Sequence, residues 1–115
     1  MTICLGDSIA VGLQCEVSYA QVGIGSDAAA ARWAGRDADV ISLGSNDPLN
    51  PRLRENLERI RRDCKGSVVW IVPRHPRAAS VVRQVAARWG DRTLSFEPAR
   101  DGIHPADYGK LRGRL

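Results

Sequence analysis

The sequence predicts an α/β fold in which a five-stranded parallel sheet lies between two layers of helices. Three observations lead there. Short apolar runs alternate with amphipathic stretches along the whole chain. The first four runs are each closed by a glycine or a proline. The length, 115 residues, suits one domain with one modest core. Strands separated by helical segments return in the same direction, so they pair in parallel with both faces covered.

Each element follows from local chemistry. Residues 2–5 form a first strand ended by Gly6, and residues 17–22 a second ended by Gly23. Ser26 or Asp27 can cap an alanine-rich helix that runs to Trp33. Residues 38–43 form the third strand, ended by Gly44. Pro51 stands near the start of a helix in which Leu53, Leu57, Ile60 and Cys64 recur at helical spacing, and Gly66 stops it. Residues 67–72 are the fourth strand, closed by Pro73. Val81, Val82, Val85, Ala86 and Trp89 mark the next helix, with Gly90 beyond its end. Residues 93–96 make a short fifth strand, and Pro105 opens a last helix carrying Tyr108, Leu111 and Leu115. Right-handed crossovers then give a three-layer α/β/α sandwich in the flavodoxin-like strand order 2-1-3-4-5.

Composition excludes several functions. The chain is 43% hydrophobic and 26% charged, as in an ordinary globular protein, and has no apolar run of membrane-spanning length. Seventeen basic residues against 13 acidic ones leave a net charge of +4. That charge is scattered, 15 of the cations are arginine, and there are six aromatics, so nucleic acid is not the expected partner. The dense run over residues 52–65 mixes Arg with Glu55, Glu58 and Asp63, the pattern of a solvated helix face. Cys4, Cys15 and Cys64 are odd in number and lack CxxC spacing, so all three read as small packing residues, with neither a disulfide framework nor a zinc site. No cofactor or metal is expected. The opening residues are too brief a hydrophobic run for a signal peptide, so the expected location is cytoplasmic as synthesised, with release to the cell envelope by other means open.

In a doubly wound sheet, ligands bind beyond the carboxyl ends of the strands. The polar and histidine-containing segments fall there. Ser8 follows the first strand in Gly6-Asp7-Ser8, where a helix start would point free N–H groups at an oxyanion. Taken singly, Ser8 reads more simply as an N-cap. His104 lies in Asp101-Gly102-Ile103-His104-Pro105, and the carboxylate three residues earlier can hold one ring nitrogen while the other faces a nucleophile. His75 also precedes a proline but has Val72 at the corresponding position, so it reads as a helix start. Asn46, in Gly44-Ser45-Asn46-Asp47, can donate to an oxyanion or simply form a turn before Pro48.

These three blocks, in this order and at these strand ends, resemble the SGNH (GDSL-type) hydrolases: esterases, lipases, thioesterases and carbohydrate deacetylases. The resemblance covers residues 6 to 105. It implies Ser8 as nucleophile, His104 as general base and then acid, and Asp101 as the orienting carboxylate. It also implies an oxyanion hole from the Ser8 N–H, a glycine N–H after the second strand, and the Asn46 side chain. The glycine position falls on Ser26, with Gly25 just before it, so either residue is a candidate donor. Ile9 replaces the family's usual leucine, and the chain is shorter than most members, so an open, shallow site is expected.

The implied function is ester hydrolysis through an acyl-enzyme, with removal of small acyl groups from a carbohydrate or cell-envelope substrate as the leading expectation. That preference rests on the absence of a lid and of a hydrophobic entrance. The small size fits a phage or mobile-element enzyme. A short-chain lipase or thioesterase is an alternative, as is an inactive glycan- or nucleotide-binding module on the same fold. Arg74 and Arg77, in the loop after the fourth strand, read first as ordinary surface arginines of an Arg-rich chain and second as candidates to hold an anionic part of the substrate, such as the carboxylate of an acidic sugar.

Overall fold

A computed structural model describes residues 1–115. Its strands are β1 (Ile3–Gly6), β2 (Val17–Ala20), β3 (Val40–Ser42), β4 (Val69–Ile71) and β5 (Arg92–Leu94). Its helices are α1 (Ser8–Gly12), α2 (Ser26–Trp33), α3 (Leu53–Arg62), α4 (Pro76–Trp89) and α5 (Tyr108–Arg112). All strand pairs are parallel and the order is β2-β1-β3-β4-β5. The predicted three-layer sandwich and its strand order are both present.

Alternation along the strands sorts the core onto two faces. Leu5, Ile41 and Trp70 join the larger cluster, against Ala29 and Ala30 of α2, Leu53, Leu57 and Ile60 of α3, and Val82 and Val85 of α4. Cys4, Val40 and Ile71 face the other way, onto Ile9 and Ala10 of α1 and Leu111 of α5. The strands are shorter than their apolar runs because pairing stops before burial does. Leu43, Val68, Val72 and Phe96 are buried outside the named strands.

Two helix starts differ from expectation. The N-cap of α2 is Gly25, which has no side chain to accept a bond, and Ser26, the first helical residue, turns its hydroxyl to Asp47. Pro105 does not open the last helix. It bridges to Pro98, and α5 begins at Tyr108, where the Asp107 carboxylate accepts from the Lys110 N–H at 3.0 Å. Leu115 consequently lies beyond the helix and is exposed.

Two further corrections concern side chains. Cys4 and Cys15 are disulfide-bonded, with their Cα atoms 5.9 Å apart, and only Cys64 is a free, buried thiol. Because α1 has just five residues, the chain turns back early and sets Cys15 beside β1, a proximity that sequence spacing does not signal. Within the charged run of α3, Arg61 is not solvated. Its guanidinium is buried against Asp91, which precedes β5.

Gly6 has the tightest requirement at the sheet. Its φ is +150°, and a Cβ there would lie 1.9 Å from the Ser42 carbonyl oxygen of β3. Only glycine lets β1 end this close to its neighbour. The turn that follows carries Asp7 and Ser8.

Candidate active site

The site begins at the junction of β1 and α1. Asp7 is the N-cap of α1 and is wholly buried. Its Oδ1 accepts from the Ile9 N–H at 3.0 Å and from the Ser42 hydroxyl at 3.1 Å. Burial raises its pKa to about 6, against the opposing pull of these bonds. Asp7, rather than Ser8, therefore caps the helix. The Ser8 side chain is free of capping duty and only half-buried.

Ser8 Oγ lies 2.7 Å from His104 Nε2, although the two residues are 96 apart in sequence. His104 Nδ1 lies 2.5 Å from Asp101 Oδ2. The second oxygen of Asp101 accepts from the backbone N–H groups of Ile103 and His104, each at 2.9 Å. A tight turn makes this geometry, with Gly102 in the left-handed region at φ +71°. The His104 side-chain bond, aided by the two backbone donors, lowers the Asp101 carboxyl to about 2. Asp101 is thus an acceptor at neutral pH. An acceptor there favours the tautomer that carries a proton on His104 Nδ1, which leaves Nε2 to accept from the Ser8 hydroxyl. A hairpin steadies the segment: Ala99 N–H donates to the His104 carbonyl at 2.7 Å, and Ala106 N–H to the Glu97 carbonyl at 2.9 Å.

The expected oxyanion donors separate into one that is engaged and three that keep a hydrogen free, the Ser8 and Gly25 N–H groups and the Asn46 amide. Ser26 is fully buried, its N–H donates to Asp47 Oδ2 at 2.9 Å, and its hydroxyl donates to the same atom at 2.5 Å. Ser26 is removed from the candidate donors, because a hydrogen already held by a carboxylate is not free for a developing charge. The Gly25 N–H has no acceptor in the protein. Asn46 Nδ2 donates one hydrogen to the Ile24 carbonyl at 2.9 Å, which ties the loop after β3 to the loop after β2. Its other amide hydrogen has no partner.

The two arginines also part. Arg74 is exposed and makes no hydrogen bond or ion pair. Arg77 is not available in the same way: its Nη1 donates to the carbonyls of Pro48 at 2.6 Å and Asn50 at 3.0 Å and so braces the loop after β3. His75 caps α4, its Nδ1 accepting from the Arg77 N–H at 3.2 Å.

No protein-family model and no curated protein matches this chain. The site therefore stands on its own geometry. The side chains of His104 and Asp101 are 37% and 46% exposed, consistent with an open position at the rim. No helix is long and apolar enough to cross a membrane.

Two residues that position the site lie outside the motifs. Asn56 donates to the Ser26 hydroxyl at 2.9 Å and to Asp27 at 2.7 Å. Its signal in the sequence is a polar side chain on the apolar stripe of Leu53, Leu57 and Ile60. Asp47 gathers Ser26, Asn50 and the start of α2, and nothing in an Asn-Asp-Pro turn announces that role.

Proposed function

We propose that this protein is a serine esterase of the SGNH type that removes small acyl groups, acetyl foremost, from a carbohydrate or cell-envelope substrate. The observation carrying the reading is the hydrogen-bonded relay Ser8–His104–Asp101, with distances of 2.7 and 2.5 Å. A helix cap or a structural histidine needs no such chain of three.

In this reading the Ser8 hydroxyl attacks the ester carbonyl while His104 Nε2 takes its proton. Asp101 holds the imidazole and stabilises the imidazolium. The charge on the carbonyl oxygen is met by the N–H groups of Ser8 and Gly25 and the free amide hydrogen of Asn46. His104 returns the proton to the departing alcohol, leaving an acyl-Ser8. Water, deprotonated by the same imidazole, then releases the carboxylic acid and restores the hydroxyl.

A longer acyl group is the second reading, favoured by Val22, Leu49 and Ile103. These side chains are 68%, 71% and 45% exposed, on the loops after β2 and β3 and beside His104. They give the rim more apolar surface than the sequence suggested. Hydrolysis of p-nitrophenyl acetate, butyrate and octanoate by the wild type and Ser8→Ala tests both readings. Ser8→Ala is expected to lose at least about 10⁴-fold in kcat, with an unchanged melting temperature. Fastest turnover of acetate supports deacetylation, and fastest turnover of octanoate supports the second reading. Equal rates for the wild type and Ser8→Ala would overturn both.

A further inference from the structure

Beside the His104 hairpin lies a cleft of about 520 Å³ whose walls are charged. One wall comes from the segment after β5, the other from α5 and its approach, and Arg74 reaches in from the end of β4. Its cations are Arg74, Lys110 and Arg114, and its acids are Glu97 and Asp107. Several of these groups are already engaged. Asp107 caps α5, and Arg114 Nη1 donates to the Ser95 carbonyl at 2.7 Å. The side chains of Arg74 and Lys110, by contrast, have no partner in the protein, although both are in a cleft with two carboxylates. Buried Phe96 and Leu111 form an apolar floor.

This combination matches one kind of ligand. Free cations suit an oxyanion, while the carboxylates suit hydroxyl groups, as does the Ser95 hydroxyl, which accepts from Arg83 at 3.1 Å and keeps its own hydrogen to donate. A molecule carrying both is an acidic sugar. A bare inorganic anion would gain from the cations but would offer the Glu97 carboxylate no hydroxyl to accept from. The cleft is also placed for a polymer: Ala106 and Asp107 on its wall directly follow the His104-Pro105 segment. Arg77 has no part here, being bound to the loop after β3.

We propose that the cleft of Arg74, Lys110 and Glu97 holds a carboxylated sugar unit adjoining the unit whose ester meets Ser8. The proposal rests on the esterase reading for its biological purpose, but binding can be tested without turnover. Trigalacturonate, neutral maltotriose and inorganic phosphate are titrated calorimetrically into Ser8→Ala protein, with and without the added pair Arg74→Ala and Lys110→Ala. Both added positions are exposed and unpartnered, so the variants should fold, which circular dichroism checks. The expected result is that trigalacturonate binds, weakens about tenfold or more in the triple variant, and weakens with added salt, while maltotriose binds more weakly and is unaffected by the pair. No binding of trigalacturonate, binding indifferent to the pair, or preference for phosphate would overturn it. Wild-type hydrolysis of p-nitrophenyl acetate is measured alongside. Activity without trigalacturonate binding sinks only this proposal, whereas binding without activity sinks the esterase reading.

Discussion

At the amino end of the sheet Asp91 accepts from Arg61 Nε at 2.6 Å, Arg61 Nη2 at 3.0 Å, Trp70 Nε1 at 3.0 Å and the Val68 N–H at 3.1 Å. The Arg61 and Asp91 side chains are 7% and 1% exposed, and the Arg61 guanidinium also lies over the Trp89 ring at 4.6 Å. At the carboxyl end Asp101 accepts three bonds against the four of Asp91, and its side chain and that of His104 remain in partial contact with water. Both clusters use one aspartate to hold a cationic or imidazole partner in place. At the amino end Arg61 makes four hydrogen bonds and the Trp70 and Val68 N–H groups are both engaged, which is what structural cohesion requires. At the carboxyl end the N–H groups of Ser8 and Gly25 and one hydrogen of Asn46 remain free, and those unused donors are what a reacting group would meet.

Removing Arg61 should break the structural end alone. Arg61→Ala leaves the Asp91 carboxylate buried without its ion partner, and urea unfolding is expected to show a loss of about 3–5 kcal/mol. Ester turnover per folded molecule should not change. Burial raises the Asp91 carboxyl, but Arg61, Trp70 and Val68 outweigh it and leave it below its ordinary value. The stability this confers is present above the ordinary carboxylate range and is lost as pH falls through the lowered value.

The reverse experiment is Asn46→Ala, which removes one unused donor at the other end. Steady-state kinetics should show kcat down by about 10²–10³ with KM less affected. An equal drop in thermal stability and activity would instead mark Asn46 as only the tie to Ile24.

The disulfide closes a loop that contains the Ser8 turn, since Cys4 and Cys15 bracket the end of β1 and all of α1. Closing a loop of this length stabilises by about 3 kcal/mol in the chain-entropy picture. Melting with and without a reductant should reveal that loss, and a molecule equally stable when reduced would show that packing alone holds Cys15 in place.

Asp7 predicts the smallest effect. Its raised value means that the folded protein holds a proton which the unfolded chain releases above the ordinary aspartate range. Stability should therefore fall as pH rises from about 4 to about 6 and level off beyond it. Asp7→Asn keeps an oxygen for the Ile9 N–H and should flatten that stretch of the pH–stability curve.

How far the sequence reaches can be seen in particular residues. Gly6, the apolar runs and the helical spacing of Leu53, Leu57 and Ile60 declare the layers, because burial and backbone conformation are written at periods of two and 3.6. Asp101 and His104 are three apart, so a single turn suffices to join them and the pair is legible without a fold. Even the different role of His75 could be read from Val72 at the matching position.

Long-range geometry decided the rest. Ser8 meets His104 across 96 residues only because β1 and the last loop end at the same rim of the sheet. Gly25 rather than Ser26 is free because Asp47, from another loop, takes the Ser26 N–H. Arg77 turns inward to two carbonyls while Arg74 stays free, and Cys15 reaches Cys4 because α1 is short. Periodicity determines which elements form and which faces they bury. Which donor is satisfied depends on what another segment brings within hydrogen-bonding distance, and that is a property of the packed chain.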